Sequence, residues 1–270
     1  MIDYFGKNTD ELKSKKLFLI DMDGTIYREN RLFEGVKELL DKINTEGGRY
    51  IFLTNNSSKS VMEYVEKIRN MGIYVKQEDI YISSQATVLY LNKFHQGKKV
   101  YCQGTRSLVK VLEDGGIDVV EDVCDDVAVV VVGNDTELTS QKLRNTCELL
   151  GRDVDYIATN PDVVCPVSFG YIPDCGSICG MIKNATGREP LYIGKPQPTM
   201  IDIVREKLEY SKEETIIIGD RLYTDITSGI NAGITTVCVL TGDTTLEDIM
   251  SSNIKPDYTF NNIKCVYEIL

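Results

Sequence analysis

The feature that most constrains the fold is a short apolar run that ends abruptly in acidic residues. Residues 17–20 read Leu-Phe-Leu-Ile, and the segment 21–25, Asp-Met-Asp-Gly-Thr, follows directly. A continuous apolar run of this length is typical of a parallel strand buried on both faces, and open α/β sheets bind ligands beyond the carboxyl ends of such strands. We therefore expect a parallel sheet with Asp21 and Asp23 at its carboxyl edge.

The spacing of these two carboxylates predicts a reactive pair. In an extended chain Asp21 and Asp23 point to the same side, and Gly24 both permits a tight turn and offers its N–H to an anion. This arrangement suits an ionised Asp21 that acts as a nucleophile beside an Asp23 that handles protons. The alternative is a plain turn, because Asp and Gly are ordinary turn residues.

A second polar cluster follows the apolar run at 50–53. Thr54 and Asn55 come directly after this run and precede a helix predicted at 59–70. Helix N-termini present unpaired N–H groups and the positive end of the helix dipole, so this position favours anion binding. The alternative is helix capping alone, because such polar residues are preferred at N-caps whether or not an anion binds.

Two later strand ends complete the pattern. Lys195 lies in a Gly-Lys-Pro loop after residues 191–193, and Asp220 follows the apolar run at 215–218, with Asp225 five residues further on. We expect four strand ends of one parallel sheet to bring these three residues and the two earlier clusters to a single edge.

Carboxylates that converge in this way repel one another unless a cation is present. A hard divalent ion with oxygen ligands, magnesium above all, fits such a cluster. The cluster in turn suits a phosphate, because the metal and Lys195 offset its charge while Thr54 and Asn55 hold its oxygens. Asp21 could then attack phosphorus to give an aspartyl-phosphate.

The middle of the chain has its own alternation of strands and helices. Six of the eight cysteines lie between residues 85 and 183. This pattern predicts a second α/β unit inserted in the first, with 1–84 and 184–270 forming a Rossmann-like parallel-sheet core and 85–183 forming the insert. Within the insert we expect the tract 160–180 to form loops.

Composition limits the partners and the chemistry. The net charge of −11 argues against binding to a nucleic acid polymer or to an anionic membrane surface, since both need clustered Lys and Arg. No apolar segment reaches signal-peptide or membrane-spanning length, so we expect a cytoplasmic protein. The single histidine, His95, is expected to be solvated, which disfavours a histidine-based triad. The cysteines are expected to be free and mostly buried.

Four motifs in this order resemble those of the haloacid dehalogenase (HAD) superfamily. They are Asp-x-Asp-Gly-Thr at 21–25, Thr-Asn-Asn-Ser at 54–57, Gly-Lys-Pro at 194–196 and Gly-Asp-x-x-x-x-Asp at 219–225. The large insertion between the second and third motifs is similar to that of class IIA members, the nitrophenylphosphatase-like and nucleotide-monophosphatase-like proteins with an α/β cap. The resemblance covers nearly the whole chain and implies a HAD core with an inserted cap domain.

The resemblance implies a phosphatase that acts on small phosphomonoesters, such as sugar phosphates or nucleoside monophosphates. Asp21 would be the nucleophile, and Asp23 would protonate the leaving group and then activate water against the phosphoenzyme. Thr54 and Asn55 would hold the phosphate, and Lys195 would neutralise Asp21 and the transferring group.

The resemblance also implies how magnesium would be held. Its ligands would be the Asp21 carboxylate, the Asp23 main-chain carbonyl and Asp220, with Asp225 acting through water or as a supporting partner. Caps of this kind often mediate homodimerisation, and a homodimer is implied by that analogy.

The cap is expected to choose the substrate. A lid excludes water and restricts entry, which favours small phosphorylated metabolites as partners. Asn160, Asp162 and Asp174 lie in segments that we expect to face the site, with ordinary turns within the cap as the alternative for each.

Other functions fit the same residues. A phosphotransferase or phosphomutase would use an identical core and differ only in the acceptor. A phospho-accepting switch module also combines carboxylates, a Thr and a Lys around magnesium, but receiver domains of that kind are much shorter and lack the segment 21–25. A cap-bearing protein that binds metabolites without catalysis is disfavoured, because every catalytic position is filled.

Overall fold

The structure, a computed structural model, describes residues 1–167 and 169–270 of the chain. The chain forms two compact units, each with a parallel sheet, in agreement with the predicted α/β class. The first unit comprises Met1–Thr54, Tyr64–Tyr81 and Lys195–Leu270, and the second comprises Asn55–Glu63 and Ile82–Gly194.

The strands, in chain order, are β1 (Leu17–Asp21), β2 (Tyr27–Arg28), β3 (Arg31–Leu32), β4 (Arg49–Thr54), β5 (Ile80–Ile82), β6 (Lys99–Gln103), β7 (Asp118–Val120), β8 (Val127–Val132), β9 (Asp155–Ala158), β10 (Val164–Val167), β11 (Gly170–Pro173), β12 (Leu191–Tyr192), β13 (Thr215–Gly219), β14 (Thr235–Val239) and β15 (Tyr258–Phe260). The helices are α1 (Val36–Thr45), α2 (Val61–Asn70), α3 (Ser83–Phe94), α4 (Arg106–Asp114), α5 (Ser140–Leu150), α6 (Cys175–Thr186), α7 (Thr199–Lys207), α8 (Thr227–Ala232), α9 (Leu246–Ser251) and α10 (Ile263–Ile269). Shorter helical turns lie at Asp10–Ser14, Gln77–Asp79 and Leu222–Ile226.

The sheet of the first unit positions the acidic segment. Its strand order is β15-β14-β13-β1-β4-β5, and β1 pairs in parallel with β13 on one side and with β4 on the other. Every residue of β1 is buried, as expected for a central parallel strand. Because neighbouring parallel strands end at the same edge, Asp21 of β1, Thr54 of β4 and Gly219 of β13 share the carboxyl edge of the sheet.

Amphipathic helices cover this sheet, and α1 is an example. Val36, Leu39, Leu40 and Ile43 are buried in α1 at the spacing of one helical face, and the helix packs on β4 and α10. Full burial of one such side chain contributes about 1.5–3 kcal/mol, so the apolar face rather than intrinsic helix propensity holds α1 in place. An Ile43→Asp substitution would place a carboxylate in that core.

The second unit has a hydrophobic core of its own. Its sheet has the order β12-β9-β8-β6-β7 with parallel pairing throughout, and β10 and β11 form an antiparallel hairpin. Leu149 and Leu150 of α5 and Ile178 and Ile182 of α6 belong to the same buried cluster as Val130 of β8. This core explains why the valine-rich run of β8 is strand-sized and almost entirely buried.

One predicted strand lies in a different sheet from the one expected. The sequence pattern predicts that 191–193 form a strand of the first sheet, but β12 pairs with β9 in the second sheet. Lys195 therefore does not follow a strand of the first sheet, and instead lies in the loop that leads to α7. A two-residue strand carries no hydrophobic period that could indicate which sheet it joins.

The tract 160–180 is more regular than the predicted loops. It contains β10, β11 and the first turns of α6. The helix begins at Cys175 because the carboxylate of Asp174 accepts the N–H of Cys175 at 2.5 Å, which is an N-cap. The glycine and proline residues of this tract therefore accompany a hairpin and a helix start rather than an irregular connection.

The eight cysteines are free thiols, as expected. Cys102, Cys175, Cys179 and Cys238 are buried, and the other four are partly buried.

His95 differs from the expectation of a solvated side chain. Only 14% of the side chain is exposed, and its Nδ1 lies 3.6 Å from Oδ2 of Asp155. A helix long and apolar enough to cross a membrane is not found among the described residues.

Candidate active site

Lys195 joins two carboxylates of the first unit. Its Nζ donates to Oδ1 of Asp21 and to Oδ1 of Asp225, each at 2.6 Å, and to the carbonyl of Leu53 at 3.3 Å. The Lys195 side chain is 2% exposed. An ammonium group buried this deeply is stable only because acceptors surround it, so the three oxygens fix its position at the end of β1.

Three carboxylates meet at this point. Asp21, Asp220 and Asp225 each offer an oxygen atom, and these atoms lie within 4.8 Å of one another. Burial, followed by the charge of Asp225, raises the pKa of Asp21 well above its ordinary value and raises the pKa of Asp220 to about 7. Burial alone would lower the pKa of Lys195, but Asp21 and Asp225 raise it instead, so Lys195 stays charged.

The donor set fits a hard divalent cation. Three carboxylates face one ammonium group, which leaves an excess of negative charge in a buried place, and a cation relieves that excess. Carboxylate oxygens are also the ligands that magnesium takes in proteins. Asp21, Asp220 and Asp225 are therefore the residues that could hold such an ion.

Thr25 bridges the cluster, a role that its sequence position does not by itself predict. Its hydroxyl lies 3.2 Å from Oδ1 of Asp220 and 3.4 Å from Oδ2 of Asp21, and the residue is fully buried. Oδ2 of Asp220 also accepts the N–H of Asp243 at 2.8 Å. The sequence feature that points to Thr25 is its place as the last residue of the 21–25 motif.

The backbone of Gly24 closes the turn that carries the first motif. Its N–H was expected to bind an anion, but it donates to the carbonyl of Tyr27 at 2.9 Å and closes the turn. Gly24 has φ +92°, and a Cβ at this position would lie 2.5 Å from Oδ2 of Asp220. Glycine is therefore needed here because the backbone approaches the Asp220 carboxylate, and the role of Gly24 in phosphate binding stays a prediction.

Asp23 lies on the same turn, but its carboxyl group has other neighbours. The hydroxyl of Tyr27 donates to Oδ2 of Asp23 at 3.1 Å, and Nζ of Lys67 lies 3.6 Å from Oδ1. The Asp23 side chain is 35% exposed, which leaves it accessible. Neither Tyr27 nor Lys67 is predicted by the sequence pattern: Tyr27 lies two residues beyond the motif, and no local signal marks Lys67.

The chain passes from the first unit to the second between Thr54 and Asn55. Thr54 ends β4 in the first unit and is buried, whereas Asn55 is the first residue of the second unit. Within the second unit, the Asn55 carbonyl accepts from Oγ of Ser83 at 2.5 Å and from Nδ2 of Asn160 at 2.7 Å. These bonds fix the backbone within the second motif.

The other two residues predicted to face the site also lie in the second unit. The main-chain N–H of Asp162 donates to Oδ1 of Asn160 at 3.0 Å. Asp174, the N-cap of α6, also accepts from Nδ2 of Asn134 at 3.0 Å. Both carboxylates are buried. The structure thus brings Asp21, Asp220, Asp225 and Lys195 together in the first unit and places Asn160, Asp162 and Asp174 in the second.

Comparisons with known proteins agree with this arrangement. The family model for haloacid dehalogenase-like hydrolases matches residues 18–118, and a HAD-hydrolase-like model matches 192–266. An acid sugar phosphatase of Staphylococcus aureus is 36% identical over 252 residues, which cover 93% of this chain and 96% of that protein. The chain belongs to the haloacid dehalogenase-like hydrolase family.

Solved structures place the chain among the capped members of the haloacid dehalogenase-like hydrolases. A 4-nitrophenylphosphatase from Thermotoga maritima superposes with a TM-score of 0.90 at 40% identity, over 96% of this chain and 99% of that one. A glycerol phosphate phosphatase from Mycobacterium tuberculosis, solved in complex with magnesium, gives 0.89 at 25% identity, over 95% of this chain and 78% of that one. The resemblance to the HAD superfamily and its class IIA phosphatases, and the HAD fold with its inserted α/β cap, are confirmed.

Proposed function

We propose that this protein is a magnesium-dependent phosphatase that hydrolyses small phosphomonoesters through an aspartyl-phosphate on Asp21. The observation that carries the proposal is the buried ion pair between Lys195 and Asp21, 2.6 Å apart, beside the carboxylates of Asp220 and Asp225. The relatives named as phosphatases of sugar phosphate, nitrophenyl phosphate and glycerol phosphate support this reaction class and a small substrate.

Four acidic residues would hold the magnesium ion. They are Asp21 and Asp220 through their carboxylates, Asp23 through its main-chain carbonyl, and Asp225 directly or through water. When bound, the ion offsets the negative charge of the carboxylates and of the substrate phosphate.

In the first half-reaction the phosphoryl group moves to Asp21. A carboxylate oxygen of Asp21 attacks phosphorus while the bond from phosphorus to the leaving oxygen breaks, and the carboxyl proton of Asp23 passes to that oxygen to release an alcohol. Lys195 offsets charge on Asp21 and on the transferring group. Thr54 and Asn55 hold the non-bridging phosphate oxygens.

In the second half-reaction water releases the phosphate. The Asp23 carboxylate takes a proton from water, the water oxygen bonds to phosphorus, and the bond from phosphorus to Asp21 breaks. The products are inorganic phosphate, ionised Asp21 and protonated Asp23. Each group has then returned to its starting state.

Several finer features stay predictions. We propose that the insert predicted at 85–183 is the cap domain, between core segments 1–84 and 184–270, and that Asn160, Asp162 and Asp174 contribute to substrate choice. Sugar phosphates and nucleoside monophosphates are the proposed substrates. The protein is proposed to be cytoplasmic and to form a homodimer.

A screen of inorganic phosphate release tests the proposal. The panel contains sugar phosphates, nucleoside monophosphates and glycolytic intermediates, each assayed with magnesium and with excess EDTA. Asp21→Asn is expected to abolish release, whereas Asp10→Asn, which changes an exposed carboxylate of the same unit, is expected to leave it unchanged. Full activity in EDTA, or unchanged turnover by Asp21→Asn, would contradict the proposed mechanism. Transfer to an added alcohol in place of phosphate release would identify a phosphotransferase.

A further inference from the structure

Tyr27 contacts the turn at 22–24 through both its side chain and its main chain. Its hydroxyl donates to Oδ2 of Asp23 at 3.1 Å, and its carbonyl accepts the N–H of Gly24 at 2.9 Å. The residue is 0% exposed, so the ring cannot swing into solvent. Tyr27 therefore holds this turn at two points.

Lys67 of α2 lies on the other side of the same carboxyl group. Its Nζ is 3.6 Å from Oδ1 of Asp23 and 3.9 Å from the centroid of the Tyr27 ring, a distance at which the ring face attracts a cation. The two oxygens of Asp23 thus face different neighbours, a hydroxyl donor at Oδ2 and an ammonium group at Oδ1.

This asymmetry matters because Asp23 cannot orient its own carboxyl group. The terminal torsion of an aspartate is broad and roughly two-fold, so an unsupported carboxyl group presents either oxygen to a substrate. An oxygen that already accepts a hydrogen bond from Tyr27 is committed as an acceptor. The hydrogen bond from Tyr27 therefore fixes the plane of the carboxyl group, and with it the direction in which Asp23 faces a substrate.

We propose that Tyr27, supported by Lys67, is a positioning residue for Asp23: it holds Oδ2 and so fixes the direction in which the carboxyl group gives and takes the proton. The inference rests on the proposed function, in which Asp23 protonates the leaving oxygen and later takes a proton from water. Tyr27 keeps its own hydroxyl proton in both half-reactions, so it forms and breaks no covalent bond itself.

A purely structural role for Tyr27 predicts different kinetics. A buried tyrosine hydroxyl needs a partner in any case, and its loss would then lower stability without altering how the rate depends on the leaving group. Proton donation contributes most when the leaving group is poor. The dependence of the rate on the leaving group therefore separates the two roles.

The experiment measures kcat/KM, which reports the steps up to cleavage of the substrate P–O bond, for p-nitrophenyl phosphate, phenyl phosphate and an alkyl phosphate. Tyr27→Phe is expected to lower kcat/KM about tenfold for the alkyl phosphate and less than about twofold for p-nitrophenyl phosphate, since only the former depends strongly on the acid. Inhibition by inorganic phosphate is expected to stay unchanged, because phosphate binding does not use Asp23 as an acid.

Tyr258→Phe is the matched control. Tyr258 belongs to the same unit, is 2% exposed, and donates its hydroxyl to Oε2 of Glu11 at 3.0 Å. This variant also removes one buried hydroxyl from a carboxylate, so it is expected to lower the thermal midpoint in a similar way. Its kcat/KM is expected to keep the wild-type dependence on the leaving group.

Lys67→Met is the second variant, and it tests the positioning of Asp23 if Tyr27→Phe does not fold. It is expected to give a smaller loss in the same direction, largest for the alkyl phosphate. An unchanged dependence on the leaving group in the variants that fold overturns the positioning role, while the wild-type enzyme still releases phosphate. A wild-type protein that releases no phosphate from any of the three substrates would instead overturn the proposed function.

Discussion

Lys195 and Asp225 form an ion pair in which both side chains are almost fully buried, at 2% and 1% exposed, with Nζ and Oδ1 2.6 Å apart. Lys195 also neutralises Asp21, so one ammonium group serves two carboxylates. Breaking a buried pair leaves an uncompensated charge in a low-dielectric place, which costs far more than losing an exposed pair. The same contact therefore governs both the stability and the proposed chemistry of the first unit.

Lys195→Met is expected to lower the free energy of unfolding by about 3–5 kcal/mol, the usual cost of removing one partner of a buried pair. It is also expected to abolish phosphate release, because Asp21 loses its neutralising partner. Lys13→Met is the control, since the ion pair of Lys13 with Asp10 is exposed and its loss is expected to cost less than about 1 kcal/mol. Denaturant unfolding and phosphate release measure both effects. Equal stability of the two variants would contradict the prediction.

Gly24→Ala and Gly47→Ala form a matched pair. Both glycines have positive φ, +92° and +73°, but a Cβ at Gly47 would meet nothing within 4 Å, whereas one at Gly24 would meet the Asp220 carboxylate. Both variants are expected to lose about 1–2 kcal/mol from the left-handed backbone. Only Gly24→Ala is expected to lose further stability and to lower kcat. A loss of activity in Gly47→Ala, or full activity in Gly24→Ala, would argue against the close approach to Asp220.

Thr25→Val removes the hydroxyl that bridges Asp21 and Asp220 while keeping the shape of the side chain. We expect a loss of about 1.5–3 kcal/mol, typical of hydrogen bonds to charged groups, together with a marked fall in phosphate release. Thr236→Val is the control, because the buried Thr236 hydroxyl donates to Oδ2 of Asp257 at 3.0 Å in the same unit. A similar loss of stability without loss of kcat is expected there. Thr25→Ser should restore activity, and a variant without its hydroxyl that keeps full kcat would remove Thr25 from the site.

Stability without magnesium is expected to fall as the pH rises. Burial and the charge of Asp225 raise the pKa of Asp220 from 3.8 to about 7. A group whose pKa is higher in the folded state than in the unfolded state stabilises the protein. This contribution is fully present at a pH below the pKa of the unfolded state, and it is lost as the pH rises through the pKa of the folded state. The contribution of Asp220 is therefore lost between about pH 4 and pH 8.

Thermal midpoints in EDTA and in excess magnesium, at pH 5.5 and pH 8.5, measure this effect. The stabilisation by magnesium is expected to grow with pH, because proton and cation compete for the same carboxylate. Asp220→Asn should flatten the trend. Asp248→Asn should keep the trend. Hydrogen bonds to Thr245 lower the pKa of Asp248, so this carboxyl group stays ionised across the range from pH 5.5 to pH 8.5. A stabilisation by magnesium that is equal at both pH values would contradict the prediction.

Much of the site could be predicted because its residues follow strands with strong local signals. The apolar runs of β1 and β13 are continuous, so the sequence alone predicts that Asp21 and Asp220 lie at the ends of buried strands. Lys195 was included in the correct cluster for the wrong reason, because the strand before it belongs to the second sheet. The loop that leads to α7, rather than a strand of the first sheet, brings Lys195 to Asp21.

Other contacts have no local signal at all. Lys67 lies 44 residues from Asp23 in the chain, and only the packing of α2 brings it near. The first turns of α3 carry little hydrophobic signal, because Ser83, Ser84 and Thr87 are among the buried residues of this helix. Polar residues on the inward face hide the helical period that hydrophobic patterning depends on.

The buried thiols give the molecule sensors of local opening that need no engineering. Cys238 lies in the first unit and Cys102 in the second. Burial raises the pKa of Cys238 to about 12, and the thiolate is the reactive form, so an alkylating reagent at neutral pH reaches it only when the surrounding structure opens. Pulsed alkylation read out by mass spectrometry would therefore time the opening of each unit separately in a single sample of unmodified enzyme.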